Sequence, residues 1–219
     1  MSKILINYPS RSRPDKFMKT IKNYSHMLDG SNDVTFLIKI DADDASMNNT
    51  GIRNFLASTG IKYELKVLEN CKGKIDAINR HVSEYAWDFV VCIADDISVL
   101  VKSWDRFVSD AFAGNYDQCL NYKCDKRVQD FTKLIILPII GRTLYDRFGY
   151  IYHPSYKSEW CDNEQTEVFE SLGVLKHIDE IMFDHDWWGN QDALMARNVS
   201  VGASEDKQNY LKRFQNKFL

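Results

Sequence analysis

The sequence predicts an α/β fold in which a mainly parallel sheet is flanked by helices. Within residues 1–100, four short apolar segments of strand type alternate with segments whose apolar residues recur every three or four positions. Acidic residues follow two of these strands directly, at positions 41–44 and 95–96. Because parallel strands joined by helical crossovers end at one edge of a sheet, we expect these acids to meet in one crevice.

The first half of the chain alternates strand and helix patterns throughout. Pro14 suits the opening turn of a helix on which Phe17 and Ile21 share one face. Farther along, Lys74 opens a helix whose apolar positions continue to Tyr85. In chain order, we predict strands at residues 4–8, 34–40, 63–68 and 89–93, with helices beginning near residues 14, 52 and 74 between them.

The second half is more mixed. An aromatic loop covers residues 150–160, and the C-terminal segment has a polar helical character, so it either folds back or frays. In chain order, we predict helices at residues 104–112, 143–148, 162–172, 192–198 and 206–219, with strands at residues 132–140 and 174–183.

Composition limits the possible functions. The chain of 219 residues is 44% hydrophobic and 13% aromatic, which is enough to bury the core of a single domain. A net charge of -3 provides no general attraction to nucleic acid. Five cysteines without Cys-x-x-Cys spacing argue against a disulfide framework and a structural zinc site. With no signal peptide and no apolar run of membrane-spanning length, we expect a cytoplasmic protein that does not insert into membranes.

Two adjacent acids, Asp95 and Asp96, end the fourth predicted strand. A buried strand that delivers paired carboxylates to the crevice of an open α/β sheet suits a divalent metal ion. An isolated Asp-Asp pair, however, more often caps a turn, so the pair alone does not decide between the two.

Polar residues also follow the first and second strands. Ser10, Arg11 and Arg13 precede a helix N-terminus, where guanidinium groups favour a diphosphate. Asp41 and Asp43 are able to accept hydrogen bonds from ribose hydroxyls or a base imide. Solvent-facing arginines and turn-forming aspartates are the structural alternatives.

Three later segments add further candidates. Lys74 lies near a helix N-terminus, and Asn79 follows on the same helix. Asp162 and Glu164 open another helix. The structural alternative is that Asp162 caps this helix and that Glu164 interacts with its dipole in the first turn. His185 lies between two aspartates at a predicted strand end, although a lone histidine is more often structural.

In this order, the segments resemble the GT-A class of nucleotide-sugar glycosyltransferases, especially the small enzymes of bacteriophages. The resemblance extends to about Asn198 and implies a GT-A (Rossmann-like) fold. It implies a nucleotide-sugar-binding half at residues 1–100, an acceptor and catalytic half at 101–198, and a C-terminal tail helix at 199–219. The location would then be the host cytoplasm.

The resemblance also implies roles for the residues. Asp162 is expected to be the catalytic base of an inverting transfer, with Glu164 second; without such a carboxylate, retention is expected. Asp96 and His185 are expected to bind Mn²⁺ or Mg²⁺, although Ala94 replaces the first acid of the usual Asp-x-Asp motif. The donor contacts are expected from Ser10, Arg11, Arg13, Asp41, Asp43, Lys74, Asn79 and Asp95, and the acceptor or sugar contacts from Arg142, Trp187 and Trp188.

The donor is expected to be a nucleoside diphosphate sugar, a UDP-sugar first, and the transferred group a hexose or a pentose. The acceptor is open between a hydroxymethylated base in DNA and a glycan or small molecule. One alternative is a non-catalytic module of the same fold that binds nucleotide sugars or nucleic acid, which the missing acid at Ala94 favours. A nucleotidyltransferase is disfavoured because residues 9–14 contain no glycine.

Overall fold

The central feature of the computed structural model is a seven-stranded sheet, and the structure describes residues 1–124, 133–186, 192–202 and 205–218. The strands are β1 (Lys3–Pro9), β2 (Asp33–Asp41), β3 (Tyr63–Leu68), β4 (Phe89–Cys92), β5 (Ile97–Val99), β6 (Cys119–Lys123), β7 (Ile139–Gly141), β8 (Leu175–Ile181) and β9 (Phe183–His185). The helices are α1 (Pro14–His26), α2 (Thr50–Ser58), α3 (Lys74–Asn79), α4 (Trp104–Phe112), α5 (Arg142–Phe148), α6 (Cys161–Ser171), α7 (Ala193–Gly202) and α8 (Glu205–Gln215).

The sheet has the order β3-β2-β1-β4-β7-β6-β8, and its first four strands are parallel. Side chains alternate across it, so Ile4 and Ile6 pack into one apolar cluster and Leu5 into the other. Strands buried on both faces require continuous apolar runs, which explains why β1, β2 and β4 are recognisable in the sequence, whereas the edge strand β3 is largely unburied. The predicted α/β fold class is confirmed, with β7 antiparallel to both β4 and β6. None of the described helices is both long and apolar enough to cross a membrane.

The strand predicted at residues 132–140 is wrong over most of its length, and Thr132 lies outside the described residues. Within the described part of this segment, only the residues of β7 pair with other strands of the sheet. Before it, the Ile135 N–H donates to the Thr166 hydroxyl at 3.0 Å, and the Pro138 carbonyl accepts from the Cys92 N–H at 2.9 Å. The apolar run is buried, but α6 and β4 satisfy these backbone groups, so it forms a loop.

The strand predicted at residues 174–183 divides into two strands that belong to different sheets. β8 lies at the edge of the large sheet beside β6. No strand is predicted from the sequence at the position of β6. The chain then leaves that sheet, and β9 pairs with β5 in a separate antiparallel ribbon. Because β5 has only three residues, its apolar pattern is too short to predict a strand.

A buried lysine ends α3 earlier than predicted. Lys39 on β2 is 1% exposed, and its Nζ donates to the carbonyls of Ala77 and Ile78, at 2.9 Å each. The Asn7 amide also donates to the Ile78 carbonyl, at 2.9 Å. These donors satisfy the last carbonyls of the helix, which would otherwise lack partners. The chain turns to an extended conformation at Arg80, so α3 ends at Asn79, and the predicted continuation to Tyr85 contains only a short 3₁₀ turn at Val82–Glu84.

The buried position of Lys39 predicts a pH-dependent stability. Burial lowers the pKa of Lys39 from 10.5 to about 7, so between these values the unfolded chain binds more protons than the folded chain. The contribution of Lys39 to the free energy of unfolding therefore rises with pH above about 7. In Lys39→Met, we expect a flatter pH dependence in urea unfolding between about pH 7 and 9, by up to about 1.4 kcal/mol per pH unit.

The exposed Lys62, which pairs with Asp33 at 2.7 Å, provides the control. Lys62→Met removes one positive charge at an exposed position, so it controls for the change in net charge. Parallel curves for Lys39→Met and the wild type would show that Lys39 does not titrate in this range.

Candidate active site

A cleft of about 400 Å³ opens at the C-terminal ends of β1, β2 and β4. Ligands of open α/β sheets bind at this edge, in the crevice formed by the loops that follow the strands. The residues predicted from the sequence that line the cleft are Ser10, Arg11, Arg13, Asp41, Asp43, Lys74, Asp95, Asp96, Asp162 and His185.

Arg11 joins the first two predicted segments. Its guanidinium donates to Asp41 at 2.5 Å and to both carboxylate oxygens of Asp43, at 2.7 and 3.0 Å. The hydrogen bond from Arg11 lowers the pKa of Asp43. Two carboxylates that accept and one guanidinium that donates are the complementary groups that a base imide and its carbonyls require.

Asp95 organises the end of β1. Its Oδ1 accepts from the Tyr8 hydroxyl at 2.5 Å and from the Ser10 hydroxyl at 2.9 Å, and Arg13 lies 3.8 Å from its Oδ2. Burial raises the pKa of Asp95 to about 6, against the opposite effect of these donors. The carboxylate therefore has internal partners that fix the loop after β1.

Arg13 connects that loop to the C-terminal part of the chain. Its Nε and Nη2 donate to the two oxygens of Asp192, at 2.8 Å each, and this lowers the pKa of Asp192 to about 2. Asp192 also accepts from the Met195 N–H at 2.9 Å and so caps α7. The pair positions α7 over the cleft, where Arg197 is among the lining residues.

Asp96 and His185 meet because of the β5–β9 ribbon. Ile97 is the register partner of His185, and the Asp186 N–H donates to the Asp96 carbonyl at 2.8 Å. This pairing places His185 Nε2 3.5 Å from Asp96 Oδ2. A carboxylate oxygen and an imidazole nitrogen that line the same cleft are a donor set that suits Mn²⁺. Within the described residues, no group of three or more His, Cys, Asp or Glu side chains with metal-binding geometry occurs.

Asp162 lies in the first turn of α6 and lines the cleft. Burial raises its pKa, while the positive charge of Lys74 opposes that rise. A carboxylate whose pKa is moved toward neutral pH is better suited to accept a proton than an ordinary exposed aspartate.

Three predicted site residues do not reach the cleft and have structural partners instead. The Asn79 Oδ1 accepts hydrogen bonds from the backbone N–H groups of residues 151 and 152, and its Nδ2 donates to the Tyr152 carbonyl. Glu164, 4% exposed, binds Arg213 through both oxygens. Arg142 pairs with Asp146 and stacks over the Trp87 ring. Trp187 and Trp188 lie outside the described residues.

Several cleft residues were not predicted. Lys39 is hidden within an apolar strand, while Lys157 and Glu159 belong to the aromatic loop. Arg197 lies four residues beyond the start of α7 and carries no sequence signal of its own. Only the helix cap at Asp192 could have indicated that α7 begins near the site.

A second cavity, of about 940 Å³, lies at the opposite edge of the sheet, between the C-terminal ends of α1 and α2. It is larger, but its lining includes Lys22, His26 and Lys62 and none of the predicted site residues. The chemistry predicted from the sequence therefore belongs to the smaller cleft.

No protein-family model matches the sequence, and no curated protein matches it. Solved structures do. The mannosyltransferase PcManGT from Pyrobaculum calidifontis, in complex with GDP-Man and Mn²⁺, matches with a TM-score of 0.64 and 15% identity, over 82% of this chain and 54% of that chain.

TarS 1-349 of S. aureus, in complex with UDP, matches with a TM-score of 0.66 and 13% identity over 96% of this chain and 71% of that chain. Its complex with UDP-GlcNAc matches with a TM-score of 0.62 and 13% identity, over 84% and 58%. The chain thus spans about half the length of the mannosyltransferase. At these identities the likeness concerns the fold, and the chain has the α/β fold of GT-A-like glycosyltransferases.

Proposed function

We propose that this protein is a glycosyltransferase that moves a sugar from a nucleoside diphosphate donor to a hydroxyl acceptor. The observation that carries the proposal is the convergence of residues from β1, β2, α3, β4, α6 and β9 on one cleft of a GT-A-like fold. They come from segments that are far apart in the sequence, at residues 10–13, 41–43, 74, 95–96, 162 and 185.

The donor would bind along the ends of β1 and β2. Asp41 and Asp43 provide acceptors for the base and ribose, and Arg11 lies between them. Lys74 and Arg197 add positive charge to the same cleft, which favours the diphosphate. The likeness to UDP-bound TarS supports a UDP-sugar as the first donor to test.

In the transfer step, Asp162 would accept the proton of the acceptor hydroxyl as its oxygen attacks the anomeric carbon. The new carbon–oxygen bond forms on the face opposite the departing diphosphate, which leaves with the electron pair of the broken bond, so the configuration inverts. A divalent cation held by Asp96 and His185 would neutralise the charge of the leaving group. Lys74 and Arg197 would act on the same charge from α3 and α7.

The acceptor follows less directly from the cleft. A hydroxymethylated base in DNA rests on the resemblance to small bacteriophage enzymes, while a glycan or small molecule is supported by the fold alone. The named structural matches come from Pyrobaculum calidifontis and S. aureus, so the bacteriophage type remains a prediction.

The five cysteines are free thiols, which supports a cytoplasmic location. We also retain the division at residues 100 and 198 as a proposal.

A second candidate is a module that binds nucleotide sugars or nucleic acid without catalysis. It is favoured by Ala94, which stands where the first acid of an Asp-x-Asp motif is expected.

A donor screen that measures the release of nucleoside diphosphate separates the two candidates. Hydroxymethylated DNA and simple glycans serve as acceptors. Acceptor-dependent release supports the transferase, whereas nucleotide binding without release of any diphosphate supports the module.

The pair of Asp96 and His185 predicts a metal-dependent affinity for the nucleotide. In Asp96→Ala and in His185→Ala, we expect Mn²⁺ binding weakened by about 100-fold, because each variant removes one of two protein ligands. Isothermal titration of Mn²⁺, and of UDP with and without Mn²⁺, measures the change. Asp186→Asn is the matched control, since this neighbouring acid does not line the cleft. Equal Mn²⁺ affinity in all four proteins would remove the pair from the metal site.

The position of Asp162 predicts that it acts in the chemical step. In Asp162→Asn, we expect kcat to fall by about 10²- to 10⁴-fold with donor affinity unchanged. In the wild type, kcat should fall as pH decreases through the raised pKa of Asp162, because the base must be ionised. Glu159→Gln, in the same cleft, is the control. A larger loss in Glu159→Gln than in Asp162→Asn would assign the base to Glu159 instead.

A further inference from the structure

The loop before α6 is held by a carboxylate from α8. Asp206, 1% exposed, accepts hydrogen bonds from three consecutive backbone N–H groups, those of Lys157 at 3.0 Å, Ser158 at 2.8 Å and Glu159 at 2.8 Å. Charge-assisted bonds to backbone N–H groups are among the stronger hydrogen bonds in proteins. All three of these loop residues line the cleft.

The loop also contacts the opposite wall of the cleft. The Lys157 carbonyl accepts from the Ile75 N–H at 3.3 Å, and a Cβ on Gly73 would lie 3.3 Å from the same carbonyl. The loop is therefore enclosed between the start of α3 and α8. Any displacement of Asp206 would be transmitted to the side of the cleft that carries Lys74.

The N-terminus of α6 depends on α8 as well. Trp160 precedes α6 in a left-handed conformation, with φ of 64°, which is strained for a bulky residue. Its ring packs against Tyr210 at a centroid distance of 5.2 Å, and the Lys207 Nζ lies 5.6 Å from the same ring. One turn into the helix, the Glu164 carboxylate accepts hydrogen bonds from both Nε and Nη2 of Arg213. These contacts hold α6 on both sides of Asp162.

We propose that Asp206 is a positioning residue that fixes Asp162 in the cleft by binding the backbone of residues 157–159. The inference rests on the proposed function, in which Asp162 deprotonates the acceptor. Asp206 reaches no lining position of the cleft itself and acts only through the loop and the start of α6. Its loss therefore affects the placement of Asp162 more than the binding of the donor at β1 and β2.

The test compares Asp206→Asn with Glu205→Gln in the full chain. The first change preserves shape but replaces one accepting oxygen by an amide that faces N–H donors. The second removes a neighbouring carboxylate that binds the same loop only through the exposed Lys157 ammonium. For Asp206→Asn we expect kcat to fall by about 10- to 100-fold with the donor KM unchanged, and for Glu205→Gln we expect wild-type values.

A second measurement on the free protein does not require activity. NMR titration of the Asp162 carboxyl carbon should show a lower pKa in Asp206→Asn, because water reaches Asp162 once the loop opens. Lys74 and Glu159, the charged groups that act on Asp162, are unchanged in both variants. If the wild type transfers no sugar, the proposed function fails, while this titration still tests the positioning.

Gly202→Ala covers the case in which Asp206→Asn does not fold. A Cβ on Gly202 would lie 2.9 Å from Asp206 Oδ2 and 2.9 Å from Glu159 Cγ, so it separates the two without removing the charge. The same shift in the pKa of Asp162 is expected. A wild-type kcat together with an unchanged Asp162 titration in the folded variants would overturn the proposal. A rise in the donor KM by the same factor as the fall in kcat would also overturn it, because it indicates a general loss of structure.

Discussion

The pairing of β5 with β9 is the contact on which the candidate site depends. It is an antiparallel ribbon of two three-residue strands, with Ile97 opposite His185 and Val99 opposite Phe183. Phe183 is fully buried and packs against Trp104 at a centroid distance of 5.9 Å. A shift of one residue in register would turn Phe183 away from this core, so burial of the ring fixes the register and with it the position of His185 beside Asp96.

Much of the first half was predictable because three of its strands, β1, β2 and β4, are buried on both faces over most of their length. Such strands require the continuous apolar runs visible at β1, β2 and β4, and their C-terminal ends then follow from the parallel topology. The acids after β2 and β4 could therefore be assigned to one edge from sequence alone. The second half lacks this regularity. Its apolar run before β7 is buried as a loop, since side chains and other strands satisfy its backbone groups.

The remaining cleft residues depend on contacts that leave no local trace in the sequence. Asp192 reaches Arg13 across the fold, and Lys39 turns inward toward the carbonyls of α3. Asn79 and Glu164 show the opposite case, because their positions suited a site but buried partners already use their polar groups. A chemically suitable residue is therefore informative about the site only when it is known which neighbours compete for it.

The contacts of α8 have a consequence for the order in which the protein matures. The parallel strands β1 to β4 and their helices form from the first half of the chain, so this part of the sheet is able to assemble early during synthesis. Asp162 lies on α6, whose start is fixed by residues of α8 that emerge from the ribosome later. Under the proposed function, a nascent chain would thus form the strands that lead to Asp41 and Asp95 first and fix the proposed base, Asp162, later.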